Sequence, residues 1–132
     1  MRSKRNSTVL SFAVLFTLLL SLLESQAQSF NALPEATRFL DKVLADGDRK
    51  ALTSALAVPD KSHLSKYPVL FDTLQNEWKR TGAFTELYKG RQFPVAGDSF
   101  TLGGHDSELG HLHIVFAREG AAWKINDIWM CR

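Results

Sequence analysis

The stretch that decides the fold covers residues 111–130 and reads HLHIVFAREGAAWKINDIWM. Apolar and more polar residues alternate over residues 111–117, and this period of two predicts a strand with one buried face. The apolar face carries Leu112, Ile114 and Phe116. Residues 118–121 (REGA) predict a turn, after which residues 122–130 return as the last strand of an antiparallel hairpin.

Upstream of the hairpin, the first group of apolar residues has the spacing of an α-helix. Its members follow the pattern i, i+3, i+4, i+7, i+8 and are Ala36, Phe39, Leu40, Val43 and Leu44. Pro34 suits the first turn of this helix, and Gly47 suits the position directly after its end. The first helix therefore begins near Pro34 and ends before Gly47.

Two further helices are predicted between the first helix and the strands. Asp48 is placed to cap a second, short helix that Pro59 stops. The polar residues 60–66 predict a loop. A third helix begins at Pro68 and ends at Gly82, with Leu70, Leu74 and Trp78 repeating every four residues.

After the third helix the period of the sequence changes to that of strands. Residues 84–88 (FTELY) alternate and predict a first strand. Residues 90–98 contain a proline and a glycine, so any strand there lies at a sheet edge or bends. Residues 99–102 predict a short strand, and residues 103–110 predict a loop. The order αααββββ predicts an α+β domain with its helices packed on one face of an antiparallel sheet.

The amino terminus has the three parts of a secretory signal peptide. A positive head is followed by an apolar run of 15 residues (9–23) and by the small residues of SQA at positions 25–27. Cleavage after Ala27 is expected, which makes residues 1–27 the signal and residues 28–132 one exported domain, periplasmic or secreted. The alternative is an uncleaved anchor, but a membrane-spanning helix needs about 20 apolar residues.

Removal of the signal changes the charge balance. The whole chain of 132 residues has 16 basic and 14 acidic residues, whereas residues 28–132 have 13 of each. A neutral domain has no electrostatic footprint for nucleic acid, and without the signal it has no segment for a membrane. Cys131 is the single cysteine, so an internal disulfide is excluded, and the thiol is either free or pairs between molecules.

Two short motifs carry a family resemblance. The first helix ends in LADGD (residues 44–48), and the last hairpin carries WKINDI (residues 123–128), with Gly120 one residue further from Trp123 than is usual in that family. In these motifs and in its order of elements, the chain resembles the nuclear-transport-factor-two-like superfamily of cystatin-like α+β cones. The resemblance implies helices packed on a curved, cone-like sheet, with a pocket between them. It matches no catalytic residue of the superfamily's isomerases and dehydratases to a position here.

Three histidines near the hairpin are candidate metal ligands: His105, His111 and His113. Alternate residues of a strand share a face, so His111 and His113 are placed to hold one metal ion, with a third ligand from His105, Asp106 or Glu108. The alternative is a polar outer face of the sheet. A metal site needs three ligands and the pattern aligns only two, so surface histidines are favoured and no metal or other cofactor is predicted.

Asp127 and Tyr88 are the candidate catalytic residues. On a regular last strand, Asp127 shares a face with Trp123 and acts as a general base among aromatic side chains, with Tyr88 as hydrogen-bond donor. A β-bulge within residues 125–128 would instead turn Asp127 outward and Ile128 inward. The sequence leaves both registers open.

Three functions compete at this point. The favoured one is a non-catalytic exported domain that binds a small apolar ligand or a protein partner. It includes a homodimer formed through the outer sheet face of His111, His113, Val115 and Ala117. The alternatives are a small isomerase or dehydratase acting in the cone cavity and an accessory module of an envelope protein complex.

Overall fold

The hairpin predicted from residues 111–130 lies at the centre of the sheet. The computed structural model describes residues 27–103 and 111–131. Within these residues, four strands pair antiparallel in the order β1-β4-β3-β2. They are β1 (Ser29–Phe30), β2 (Ser99–Gly103), β3 (Leu112–Glu119) and β4 (Ala122–Met130). The two-residue β1 was not expected from the sequence, and it places Phe30 beside Trp123.

Five helices in the described part of the chain precede β2. They are α1 (Leu33–Asp46), α2 (Arg49–Ala55), α3 (His63–Lys66), α4 (Val69–Thr81) and α5 (Phe84–Leu87). The predicted end of the first helix, the cap of the second and the end of the third predicted helix, which is α4, are confirmed, whereas α2 ends at Ala55, before Pro59. Gly47 follows α1 in the left-handed conformation, the Asp48 side chain accepts the N–H of Ala51 at 3.0 Å to cap α2, and Gly82 follows α4.

The core lies between the helices and one face of the sheet. Its β3 side chains are those that the alternation predicts, and all three are buried: Leu112, Ile114 and Phe116. The α1 stripe meets them with Ala36, Leu40, Val43 and Leu44, which are also buried. The expected α+β architecture, with helices packed on a curved antiparallel sheet, is therefore confirmed.

The strand predicted at residues 84–88 is wrong, because this segment forms α5. The carboxylate of Asp41, on α1, accepts the backbone N–H groups of Phe84 at 2.7 Å and of Thr85 at 3.0 Å. It also accepts the Thr85 hydroxyl at 2.7 Å and the indole N–H of Trp78 at 2.9 Å. A carboxylate that binds the first N–H groups of a segment stabilises a helical turn there.

The loop predicted at residues 60–66 is also wrong. A 3-10 turn covers Pro59–Lys61, and α3 follows it directly. Ser62, which is buried, caps α3 because its hydroxyl oxygen accepts the N–H of Ser65 at 3.2 Å. This cap was not predicted from the sequence.

The described residues contain no helix that is both long enough and apolar enough to cross a membrane. The predicted signal lies outside the described residues, except for Ala27.

Candidate functional site around His63 and Asp127

A β-bulge in β4 determines where Asp127 points. Val115 pairs with Asp127, and the next residue of β3 pairs with Ile125, so Asn126 is the extra residue of β4. Ile125 and Ile128 are both buried, whereas Asp127 is only partly buried. The bulged register is thus the one observed. The regular register, which put Asp127 on the inward face with the aromatic residues, is wrong.

The carboxylate of Asp127 binds the beginning of α3. The Nδ1 atom of His63 lies 2.5 Å from Oδ2, and the backbone N–H of His63 donates to Oδ1 at 3.2 Å. Oδ1 also accepts the N–H of Ile128 at 2.8 Å. Since the carboxylate contacts Nδ1, Nε2 is the ring nitrogen left to contact a bound molecule. The two side chains are 48% and 23% exposed, so the imidazole is the more open of the pair.

The chain reaches His63 by running along β4 just beyond the two residues that pair with β1. Leu56 forms a parallel bridge with Ile125, and the N–H of Ala57 donates to the Ile125 carbonyl at 2.9 Å. The 3-10 turn and the Ser62 cap then set the direction of α3. His63 was not predicted from the sequence, because its partner lies 64 positions further along the chain. The one local signal is the serine that precedes it, which marks a helix start.

His63 forms one wall of a groove of about 380 Å³. The other residues that line it are Tyr67, Val69, Leu70 and Met130. Tyr67, Val69 and Met130 are 57%, 68% and 48% exposed, although all three are large and mainly apolar. The rings of His63 and Tyr67 are nearly parallel, with their centroids 6.4 Å apart. The groove therefore combines an apolar surface with one imidazole.

Tyr88 lies in another part of the molecule. Its ring stacks on Phe93, with the centroids 4.7 Å apart and 15° between the planes, and meets the Phe100 ring edge-on at 5.6 Å. Phe100 belongs to β2, at the opposite edge of the sheet from β1. The structure does not bring Tyr88 and Asp127 into one site, and the catalytic roles of both stay predictions.

The candidate metal ligands that the structure describes have other neighbours. His113 stacks on Trp129, with the centroids 3.9 Å apart and 4° between the planes. The Nδ1 atom of His111 lies 3.6 Å from the Cys131 sulfur. In residues 27–103 and 111–131, no group of three or more His, Cys, Asp or Glu side chains is arranged to hold a metal ion. His105, Asp106 and Glu108 lie outside the described residues.

Comparison with known proteins adds no assignment. No family model matches this chain, and the chain matches no curated protein and no solved structure. The relationship to the nuclear-transport-factor-two-like superfamily stays a prediction.

Proposed function

We propose that this chain is a non-catalytic binding domain whose groove beside His63 takes a small apolar ligand. The observation that carries the proposal is the convergence of three exposed, mainly apolar side chains on one concave surface: Tyr67, Val69 and Met130. Single exposed apolar residues are normal, but residues that share a groove lose apolar area to water together when a ligand binds. The volume of about 380 Å³ suits a small molecule. His63 supplies a polar group that orients it.

We propose further that the domain is exported and works after cleavage between Ala27 and Gln28. Cleavage there removes no residue of the sheet, because β1 begins at Ser29. The neutral charge of residues 28–132 supports neither nucleic acid nor a membrane surface as a partner. The order of helices followed by an antiparallel sheet, with the hairpin last, supports the proposed kinship with the nuclear-transport-factor-two-like superfamily.

A neutral fluorescent dye, N-phenyl-1-naphthylamine, tests the groove. Val69→Lys places a charge in the groove and is expected to weaken dye binding about tenfold or more, since a bound dye would cover the ammonium and remove part of its hydration. Val58→Lys is the matched control, because Val58 is also an exposed valine, at 50%, and does not line the groove. A dye that binds both variants equally, or that shows no saturable binding to the wild-type domain, contradicts the proposal.

An acid–base enzyme is the second candidate function, and the pair of His63 and Asp127 is the observation that favours it. A carboxylate on Nδ1 fixes the orientation of an imidazole, and the opposite ring nitrogen, Nε2, is then the atom that would remove a proton from a bound molecule. This alternative keeps Asp127 in the reaction but gives the base role to His63. Tyr88 has no part in it, because it lies elsewhere.

Deuterium exchange distinguishes the enzyme from the binding domain. In D₂O, a general base in the groove would exchange the protons next to the carbonyl of an apolar ketone such as 2-tetralone, as followed by ¹H NMR. If the enzyme hypothesis holds, exchange falls to the buffer rate in His63→Gln and persists in His113→Gln. Equal exchange by wild type and His63→Gln excludes this proton transfer and leaves the binding function.

A further inference from the structure

A second cavity, of about 470 Å³, lies between the first turns of α1 and the segment that follows α5. It shares no lining residue with the groove beside His63. Its volume is within the range of small-molecule sites. What it is able to bind follows from its charges and its aromatic rings.

Positive charge is concentrated around this cavity. Arg38, Lys89 and Arg91 line it, with Glu86 as the acidic lining residue. Lys89 and Glu86 approach each other only to 3.8 Å, and both are exposed. Within the described residues, neither Arg38 nor Arg91 forms an ion pair. In a domain with equal numbers of acidic and basic residues, this excess of cations is local.

The same cavity has a rigid aromatic wall. Tyr88 and Phe93 both line it, and their rings stack 4.7 Å apart. Both rings also meet Phe100 edge-on, at 5.6 and 5.3 Å, with planes at 82° and 90°. Phe100 is 1% exposed, so the stacked pair is anchored to the core. Aromatic rings held in this way offer a preformed flat surface to another ring.

We propose that this cavity binds a small aromatic anion, whose ring packs against Tyr88 and Phe93 and whose carboxylate or phosphate group binds Arg38 and Arg91. Guanidinium groups recognise both kinds of anion through paired hydrogen bonds. No carboxylate of the described residues competes for Arg38 or Arg91, so an incoming anion displaces only water and salt. This site is separate from the groove and goes beyond the function proposed above.

Isothermal titration with four probes separates the contributions of charge and ring. We expect 2-naphthoate and 2-naphthyl phosphate to bind, and the relative affinity of these two shows which head group the site prefers. Neutral 2-naphthamide and inorganic phosphate are both expected to bind at least about tenfold more weakly. The amide lacks the negative charge that binds the arginines, and phosphate lacks the ring that packs against Tyr88 and Phe93. Binding of 2-naphthamide as tight as that of 2-naphthoate overturns the proposal.

Matched variants test the residues. Arg38→Gln and Arg91→Gln are each expected to raise the dissociation constant of the tighter naphthyl anion about tenfold. Lys42→Gln is the control, because Lys42 is a cation one turn from Arg38 on α1 that does not line the cavity, and its loss changes the net charge equally. Circular dichroism verifies that each variant is folded. Equal affinity of Arg38→Gln and Lys42→Gln overturns the proposal, as does loss of binding in the groove variant Val69→Lys.

Discussion

Replacing Asp41 with alanine is expected to destabilise the domain far more than the loss of a partly exposed carboxylate normally does. The carboxylate accepts four hydrogen bonds, from Phe84, Trp78 and two donors of Thr85. Phe84 is fully buried and Trp78 is partly buried, so their N–H groups have poor access to replacement water. A donor left without a partner costs roughly 1–3 kcal/mol. Two such donors make an expected loss of about 4 kcal/mol in the free energy of unfolding.

Urea denaturation of residues 28–132, followed by circular dichroism and tryptophan fluorescence, measures this loss. With a slope of roughly 2 kcal/mol per molar urea, the midpoint is expected to fall by about 2 M. Asp46→Ala is the matched control, since Asp46 is exposed on the same helix and its side chain bonds to none of the described residues. Both substitutions raise helix propensity, so their difference isolates the four hydrogen bonds of Asp41.

Asp41→Asn separates the role of the second oxygen from that of side-chain size. An amide oxygen accepts at most two of the four bonds, and the amide nitrogen is itself a donor. The asparagine variant is therefore expected to lie between wild type and Asp41→Ala. If Asp41→Ala and Asp46→Ala unfold at the same urea concentration, the carboxylate does not stabilise the fold, and the explanation of α5 is refuted.

Four other predictions concern the sheet, the proposed cleavage and the proposed dimer. Gly103→Ala is expected to lower the free energy of unfolding by more than about 2 kcal/mol in a urea titration, because φ is +107° and an added Cβ would collide with the backbone carbonyl oxygen of Leu112. Gly97→Ala is the control, since φ is +62° with open space around the added Cβ, and it is expected to cost about 1 kcal/mol. Phe30→Ala is expected to cost about 3–5 kcal/mol by the same assay, because this ring is buried and β1 has only two residues. For the proposed export, intact-mass spectrometry of the protein recovered outside the cytoplasm is expected to show a chain that begins at Gln28, and a precursor mass contradicts the cleavage. We propose a homodimer through the outer sheet face, and light scattering on a sizing column is expected to show a dimer that Val115→Lys, which places a charge on that face, converts to a monomer. A monomeric wild-type chain contradicts this proposal.

The parts of the fold that the sequence predicted are those that depend on neighbouring residues. The stripe of α1 and the alternation of β3 repeat a local period, and one face of each element is buried accordingly. The caps Gly47 and Asp48 act within one or two turns of their own helices. These local patterns can be interpreted without knowing which elements pack on the other side of the core.

The structure of residues 84–88 does not follow from their own sequence. Its alternation is typical of a strand, yet the Asp41 carboxylate, 43 positions earlier, captures its first N–H groups and makes it helical. No residue within 84–88 indicates that the Asp41 carboxylate will accept hydrogen bonds there. A tertiary hydrogen bond thus outweighs a short period, because four residues hold only a small intrinsic preference.

The position of Asp127 follows from the packing of its neighbours. Residues three apart in a regular strand face opposite sides, yet Ile125 and Ile128 are both buried on the core side. One extra residue in β4, Asn126, allows both isoleucines to face the core. Burial of an isoleucine side chain stabilises the fold by about 1.5–3 kcal/mol, which offsets the loss of strand pairing at Asn126. The spacing of these two isoleucines along the chain is therefore the local signal for the bulge. It does not reveal His63, since that contact exists only once α3 lies along the edge of β4. The Asp127 carboxylate orients the His63 imidazole, and the burial of Ile128 in turn sets the direction of Asp127. A substitution at Ile128 is therefore expected to change the position of His63 in the groove as well as to destabilise the core.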